Sequence, residues 1–187
     1  ALVAADNVYA LSSQTAPPDG YARIMTRATD LTTQITGGRL GGLILTRDVF
    51  VPGYRQRLDD LAFSFASDVN ALHSAGVDFN GAPGGDFFTQ PTQASGAAAA
   101  MAVNPAVAGD TRLVAAGLVA AGDNQTARAI ADLRNRNPSA TDEWGGLVSR
   151  IGGDRRAVQA DLATRDDVLT QIQSMRSQMS GVSMDEE

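Results

Sequence analysis

His73 is the one histidine of the chain and cysteine is absent, so thiol catalysis, disulfide scaffolds and nearly every zinc geometry lack their ligands. His73 follows an apolar helical position near a helix end. A lone imidazole without clustered carboxylates reads there as a cap or a surface residue, not as a base or a metal ligand. Asp78, Asn80 and Asp86 share a glycine-rich loop and have the residue types of a calcium site. They lack the alternating ligands and the closing glutamate of an EF-hand. Gly37-Gly38-Arg39-Leu40-Gly41-Gly42 stands between a predicted strand and a predicted helix, where a phosphate loop would. It matches neither G-x-x-x-x-G-K-[ST] nor G-x-G-x-x-G, and a flexible strand-to-helix joint accounts for it better. The pairs Asp59-Asp60 and Asp166-Asp167 fall on predicted exposed helix faces, where solvated charge is the default. No catalytic, cofactor-binding or metal-binding residue is assigned, no cofactor is expected, and the chain is not read as an enzyme.

The elements that would carry these residues belong to a folded chain. Of 187 residues, 43% are hydrophobic and 19% charged, too apolar for disorder and long enough for a core. A formal net charge of -6 with interspersed signs offers no basic stripe for phosphates or anionic lipid, so neither nucleic acid nor membrane is an expected partner. No apolar run reaches the ~20 residues that span a bilayer.

Tyr21 to Arg27 and Leu31 to Thr36 alternate apolar with polar or long side chains, with Ala28-Thr29-Asp30 between them. The pattern predicts a hairpin, and Ala1 to Leu11 can supply a further strand. From Leu40 the period changes: Leu40, Ile44, Val51, Leu58, Leu61, Phe65, Val69 and Leu72 fall on one helical stripe that ends with Gly76 as a C′ residue. Pro52 either begins a helix or kinks a longer one, and the constant apolar phase on both sides favours a kinked or closely stacked pair. Residues 77–123 are irregular, with Phe87-Phe88 expected to anchor the loop in a core. Ala98 to Val103 is expected as a strand, with a helical turn over Ala97 to Met101 the competing reading, and Asn104-Pro105 as a turn. Asp123 reads as the N-cap of a short helix running through Arg136.

The longest periodic segment enters through Ser139, with Asp142 and Glu143 in its first turn. Trp144, Leu147, Val148, Ile151, Val158, Leu162, Leu169, Ile172 and Met179 keep a near-heptad seam through Gly152-Gly153, which predicts one long helix with a soft spot. Arg155, Arg165 and Arg176 lie on or beside that seam, so it must be partly open or face acidic groups on a neighbour. At 1.5 Å per residue, Asp142 to Met179 would be about 57 Å long, which predicts a rod. The expected fold is mainly α with a smaller β part: long, roughly antiparallel helices plus a β-hairpin region. Its expected division is 1–36 as the end of an outer β domain and 37–187 as a helical rod domain with an irregular insertion at 77–123. The packing seam comprises Leu58, Leu61, Phe65, Val69 and Leu72 on one helix and Trp144, Val148, Ile151, Val158, Leu162, Leu169 and Ile172 on the other.

Ser183 to Glu186 is an S-x-x-E capping box with nothing after it to cap. It predicts that the chain is a fragment of a longer protein and that these last residues are frayed.

The run from Thr36 to Asp48 (TGGRLGGLILTRD), then Leu58-Asp59-Asp60-Leu61-Ala62 and Val69-Asn70-Ala71-Leu72-His73-Ser74-Ala75-Gly76-Val77-Asp78, resembles the flagellar hook-associated protein 1 family, the FlgK type. Gly81 followed by Gly85-Asp86-Phe87-Phe88, then Gly122-Asp123-Asn124 and Ser180 to Glu187, follow in the family's order. The resemblance covers Thr36 to Glu187, the first 35 residues agreeing only in β character, and Pro52-Gly53 departs from the family pattern within the long helix. It implies a structural subunit of the bacterial flagellum that joins hook to filament, exported through the flagellar type III channel and located outside the cell. The implied partners are the hook protein, the second junction protein and copies of itself, with terminal helices pairing beyond this segment. The fragment alone is then expected to be monomeric. A stand-alone extracellular helical adhesin or adaptor module is the alternative that periodicity alone permits.

Overall fold

The computed structural model describes residues 3–4, 7–8, 10–16, 20–89 and 91–180; the capping box expected at Ser183 to Glu186 lies outside them. The protein is mainly α with a smaller antiparallel β part. It divides into two compact units, Ala1–Gln56 and Arg57–Glu187, so the division falls inside a helix and not at the strand-to-helix joint near residue 37.

In the first unit, β1 (Val3–Ala4) pairs with β2 (Asn7–Val8). A separate three-stranded antiparallel sheet has the order β3 (Leu11–Ala16), β4 (Tyr21–Thr26), β5 (Thr29–Asp30). The main hairpin thus pairs β4 with the segment before it, in a register running from Leu11↔Thr26 to Ala16↔Tyr21. The expected partner, Leu31 to Thr36, contributes no strand, and the turn sits at Arg27-Ala28, with Arg27 left-handed at φ 50°. Thr32 explains the difference. It is fully buried, its N–H donates to Asp30 Oδ1 at 2.8 Å and its hydroxyl accepts from Ile24 N–H at 2.8 Å. These local side-chain bonds replace ladder bonds and turn Thr32–Gln34 into a 3₁₀ turn.

Helix α1 (Gly38–Leu45) passes into a π-helical turn, Thr46–Phe50, and then into α2 (Val51–Ser74). Pro52 lacks an N–H and its ring crowds the carbonyl four residues back. The wider π turn immediately before it lets the chain stay helical from Gly38 to Ser74. Gly76 follows α2 but has no left-handed φ, so it is not a C′ cap of the expected kind. It is glycine because a Cβ there would stand 2.7 Å from Thr126 Oγ1 and 2.9 Å from Gly117 O.

The irregular stretch of the second unit is ordered by side chains from α2. Asn70 is buried and uses its carboxamide as a strand would use its backbone, donating to Phe88 O at 3.0 Å and accepting from Phe88 N–H at 2.8 Å. Phe88 meets Phe65 at 5.8 Å between ring centroids, and Phe87 meets the His73 ring edge-on at 5.3 Å. The paired phenylalanines therefore anchor the loop as expected. The alanine run forms a helical turn, α3 (Ala97–Ala100), not a strand. Its first N–H groups are capped by Asp59, which accepts from Gly96 N–H at 2.8 Å and Ala98 N–H at 3.0 Å. Asp59 is thus half-buried and engaged, whereas Asp60, Asp166 and Asp167 are exposed. At Asn104-Pro105 the expected turn opens a short helix, α4 (Pro105–Gly109), with Asn104 as its N-cap and proline at N1.

Helix α5 (Gln125–Asp132) continues into a 3₁₀ turn through Asn135, and a cis Asn137-Pro138 bond leads to α6 (Ala140–Ser180), 41 residues long. Ser139 and Asp142 cap α6 reciprocally: Asp142 N–H reaches Ser139 Oγ at 3.2 Å, and Ser139 N–H reaches Asp142 Oδ2 at 2.9 Å. Gly152-Gly153 sits inside this helix without breaking it, as the constant apolar phase requires.

Candidate functional site

The residues that looked most like chemistry are spent on holding loops. His73 is completely buried, contrary to the cap or surface role expected for it. A backbone carbonyl can only accept and a backbone N–H can only donate, which fixes the imidazole as the neutral Nδ1–H tautomer. Nδ1–H donates to Gly85 O at 2.6 Å, and Nε2 accepts from Ala115 N–H at 2.9 Å. His73 therefore clamps two loop segments to the end of α2 and has no nitrogen left for substrate or metal.

Asp78 is likewise buried and accepts from the N–H groups of Asn80 at 2.8 Å and Ala82 at 2.9 Å. Asp123 accepts from the N–H groups of Leu118, Val119, Ala120 and Gln125. Those backbone donors, Gln125 N–H first, hold its carboxyl far below the usual carboxylate range. Asp123 precedes the N-cap residue Asn124, so it fastens the loop Leu118–Ala120 to the first turn of α5 from one position earlier than expected. Among the described residues no group of three or more His, Cys, Asp or Glu could hold a metal ion. No helix of those residues is long and apolar enough to cross a membrane.

What remains open is apolar surface. On α2, Val69 is buried and Leu58, Leu61 and Leu72 are half-buried, while Phe65 stands at the edge, 36% exposed. Leu61 and Phe65 also line a cleft of about 200 Å³ with Ile130, Leu133 and Pro138, flanked by the Arg136–Asp68 ion pair. On α6 only Leu147 is buried among the apolar positions of the stripe, at 4% exposure. Trp144, Val148, Ile151, Val158, Leu162, Leu169 and Ile172 are all exposed, by 41% at Ile151 to 58% at Leu162. From Arg155 to Met179 every residue of α6 is exposed. The seven α6 positions thus share one face but are not covered by α2. Sequence periodicity identifies such a face and cannot tell whether anything within the chain covers it. It also missed Asn70, Thr32 and Asp59, whose roles depend on backbone groups up to 39 residues away.

The described residues thus combine buried polar groups committed to loop geometry with a long apolar helix face open to solvent. Residues 1–88 match the family model described as "Flagellar hook-associated protein FlgK helical domain". Over 145 residues the chain is 31% identical to Flagellar hook-associated protein 1 of Bacillus subtilis (strain 168), covering 70% of this chain and 28% of that relative. The chain belongs to the FlgK family of flagellar hook-associated proteins. It spans about 28% of the length of the relative it matches. The family match begins at residue 1, so the resemblance extends through the β region, beyond the segment from Thr36 onward that carries the recognisable motifs.

Proposed function

We propose that the chain forms part of the junction between flagellar hook and filament, outside the cell, as a non-enzymatic building block that binds neighbouring axial proteins through helix packing. The observation that carries this reading is the open face of α6, where Val158, Leu162, Leu169 and Ile172 are each about half exposed. An apolar helix face of this length is a docking surface in a structural protein, because its burial against another helix recovers the hydrophobic free energy left unused here. The half-buried α2 positions Leu58, Leu61 and Leu72, with buried Val69 among them and Phe65 at the exposed edge, supply the inner side of the same packing scheme. The partners proposed are the hook protein, the second junction protein and copies of itself within the assembled organelle, with the isolated chain monomeric. The unit division at Gln56/Arg57 leaves the proposed domain scheme of 1–36, 37–187 and a 77–123 insertion as a description of element types, β, α and irregular.

The test is a Leu162→Asp, Leu169→Asp double substitution in the chromosomal gene. Export continues, but cells lose motility and shed filament subunits into the medium. Normal filaments on the double variant would overturn the docking role of α6, and a motile strain defective only in surface attachment would favour an adhesin or adaptor instead.

A further inference from the structure

We propose that the open face of α6 selects a partner helix of different sequence, one whose apolar seam carries carboxylates opposite Arg155, Arg165 and Arg176; this rests on the helix-docking reading above. The seam residues Ile151, Arg155, Val158, Leu162, Arg165, Leu169, Ile172, Arg176 and Met179 are spaced alternately four and three apart, the spacing of a coiled-coil contact line. All of them are exposed. In a chain of formal net charge -6, every charged residue on this line is an arginine and none is a carboxylate. A guanidinium buried at such a position without a counter-charge costs several kcal/mol, whereas a planar bidentate carboxylate satisfies it.

A second copy of α6 does not meet that requirement. Parallel and in register, it sets arginine on arginine in three layers. Antiparallel with near-complete overlap, contact positions pair so that Arg155 faces Met179, Arg165 faces Leu169 and Arg176 faces Val158. Either arrangement leaves cations in the contact line without seam carboxylates, so the arginines favour a foreign helix over self-association. Arg165 is held by Asp161 of its own helix at 2.7 Å, with both side chains about 60% exposed. An exposed pair of that kind is worth about 0–1 kcal/mol and gives way to a better-placed carboxylate.

The experiment uses the 187-residue chain and two labelled synthetic helices of about four heptads with identical apolar seams. One carries glutamate and the other lysine at the three positions that face the arginines. Fluorescence anisotropy is expected to show the glutamate peptide binding at least about tenfold tighter at low salt, with the gap narrowing at high salt. The triple variant R155E/R165E/R176E, altered only at exposed positions, is expected to reverse the preference. Equal binding of the two peptides would overturn the charge selection and leave helix docking intact. Binding of neither would overturn both, and a stable chain dimer in sedimentation that Leu162→Asp dissolves would assign the face to a second copy.

Discussion

Gly84 and Gly85 are adjacent in sequence and opposite in tolerance. A Cβ on Gly84 would overlap the His73 carbonyl oxygen and sit 2.6 Å from Ala115 Cβ, whereas one on Gly85 meets nothing within 4 Å. Neither has a left-handed φ, so the difference is one of space and not of backbone strain. Gly84 N–H also bonds Gly76 O at 2.9 Å, at the place where the imidazole of His73 draws in Gly85 O and Ala115 N–H. Overpacking this site should separate backbone groups whose hydrogen bonds close the loop. Gly84→Ala is expected to destabilise the second unit by about 3 kcal/mol, and Gly85→Ala to change stability by less than about 0.5 kcal/mol. Urea denaturation followed by far-UV circular dichroism measures both, and equal midpoints for the two variants would contradict the packing described for Gly84. Sequence composition shows only that both glycines belong to a turn-rich loop, because the atoms that exclude a methyl at Gly84 come from residues 73 and 115.

At the scale of elements, legibility followed the range of the interactions that build each one. The start signal and phase of α6 are local, through the Ser139/Asp142 cap and an apolar period that crosses Gly152-Gly153, and both are legible in the sequence. The alternation of Leu31 to Thr36 is strand-like and points to the wrong hairpin partner, because Thr32 turns inward to bond Ile24 and Asp30. Periodicity also overstated burial. Leu162 sits in phase with the stripe and would be costly to charge if covered, yet it is 58% exposed, while Leu147 is 4% exposed. Leu162→Asp is therefore expected to cost only about 0.5 kcal/mol, mostly through the poorer helix propensity of aspartate. Leu147→Ala should cost about 2–4 kcal/mol through lost transfer energy and a residual cavity. Thermal melting of the two variants side by side checks the contrast, and a large loss for Leu162→Asp would mean that α6 is covered in solution.

For the whole molecule, acid is the condition that reaches both units at once. Asp30 and Asp48 of the first unit are held below the usual carboxylate range, Asp30 by its hydrogen bonds with Thr32 and Asp48 by the Arg47 side chain. In the second unit the Arg112 side chain lowers Asp110, the N–H of Gln125 and three further backbone donors lower Asp123, and Ser139 N–H with its hydroxyl lowers Asp142. A carboxylate with a depressed folded-state pKa binds fewer protons folded than unfolded. Its contribution is thus present above the unfolded value near 4 and is lost as pH falls through the folded one. The urea midpoint should be nearly flat from about pH 8 to 5 and fall steadily below about pH 4. Asp123→Asn replaces an anion by a neutral amide at a site of four converging N–H groups. The variant should be less stable at pH 7 and lose less on acidification, so the two curves converge as pH falls below the usual carboxylate range toward the depressed folded-state value of Asp123. Parallel curves displaced by a constant amount would mean that the carboxylate charge of Asp123 contributes nothing, and that its role is filled by hydrogen-bond geometry that asparagine reproduces incompletely at every pH.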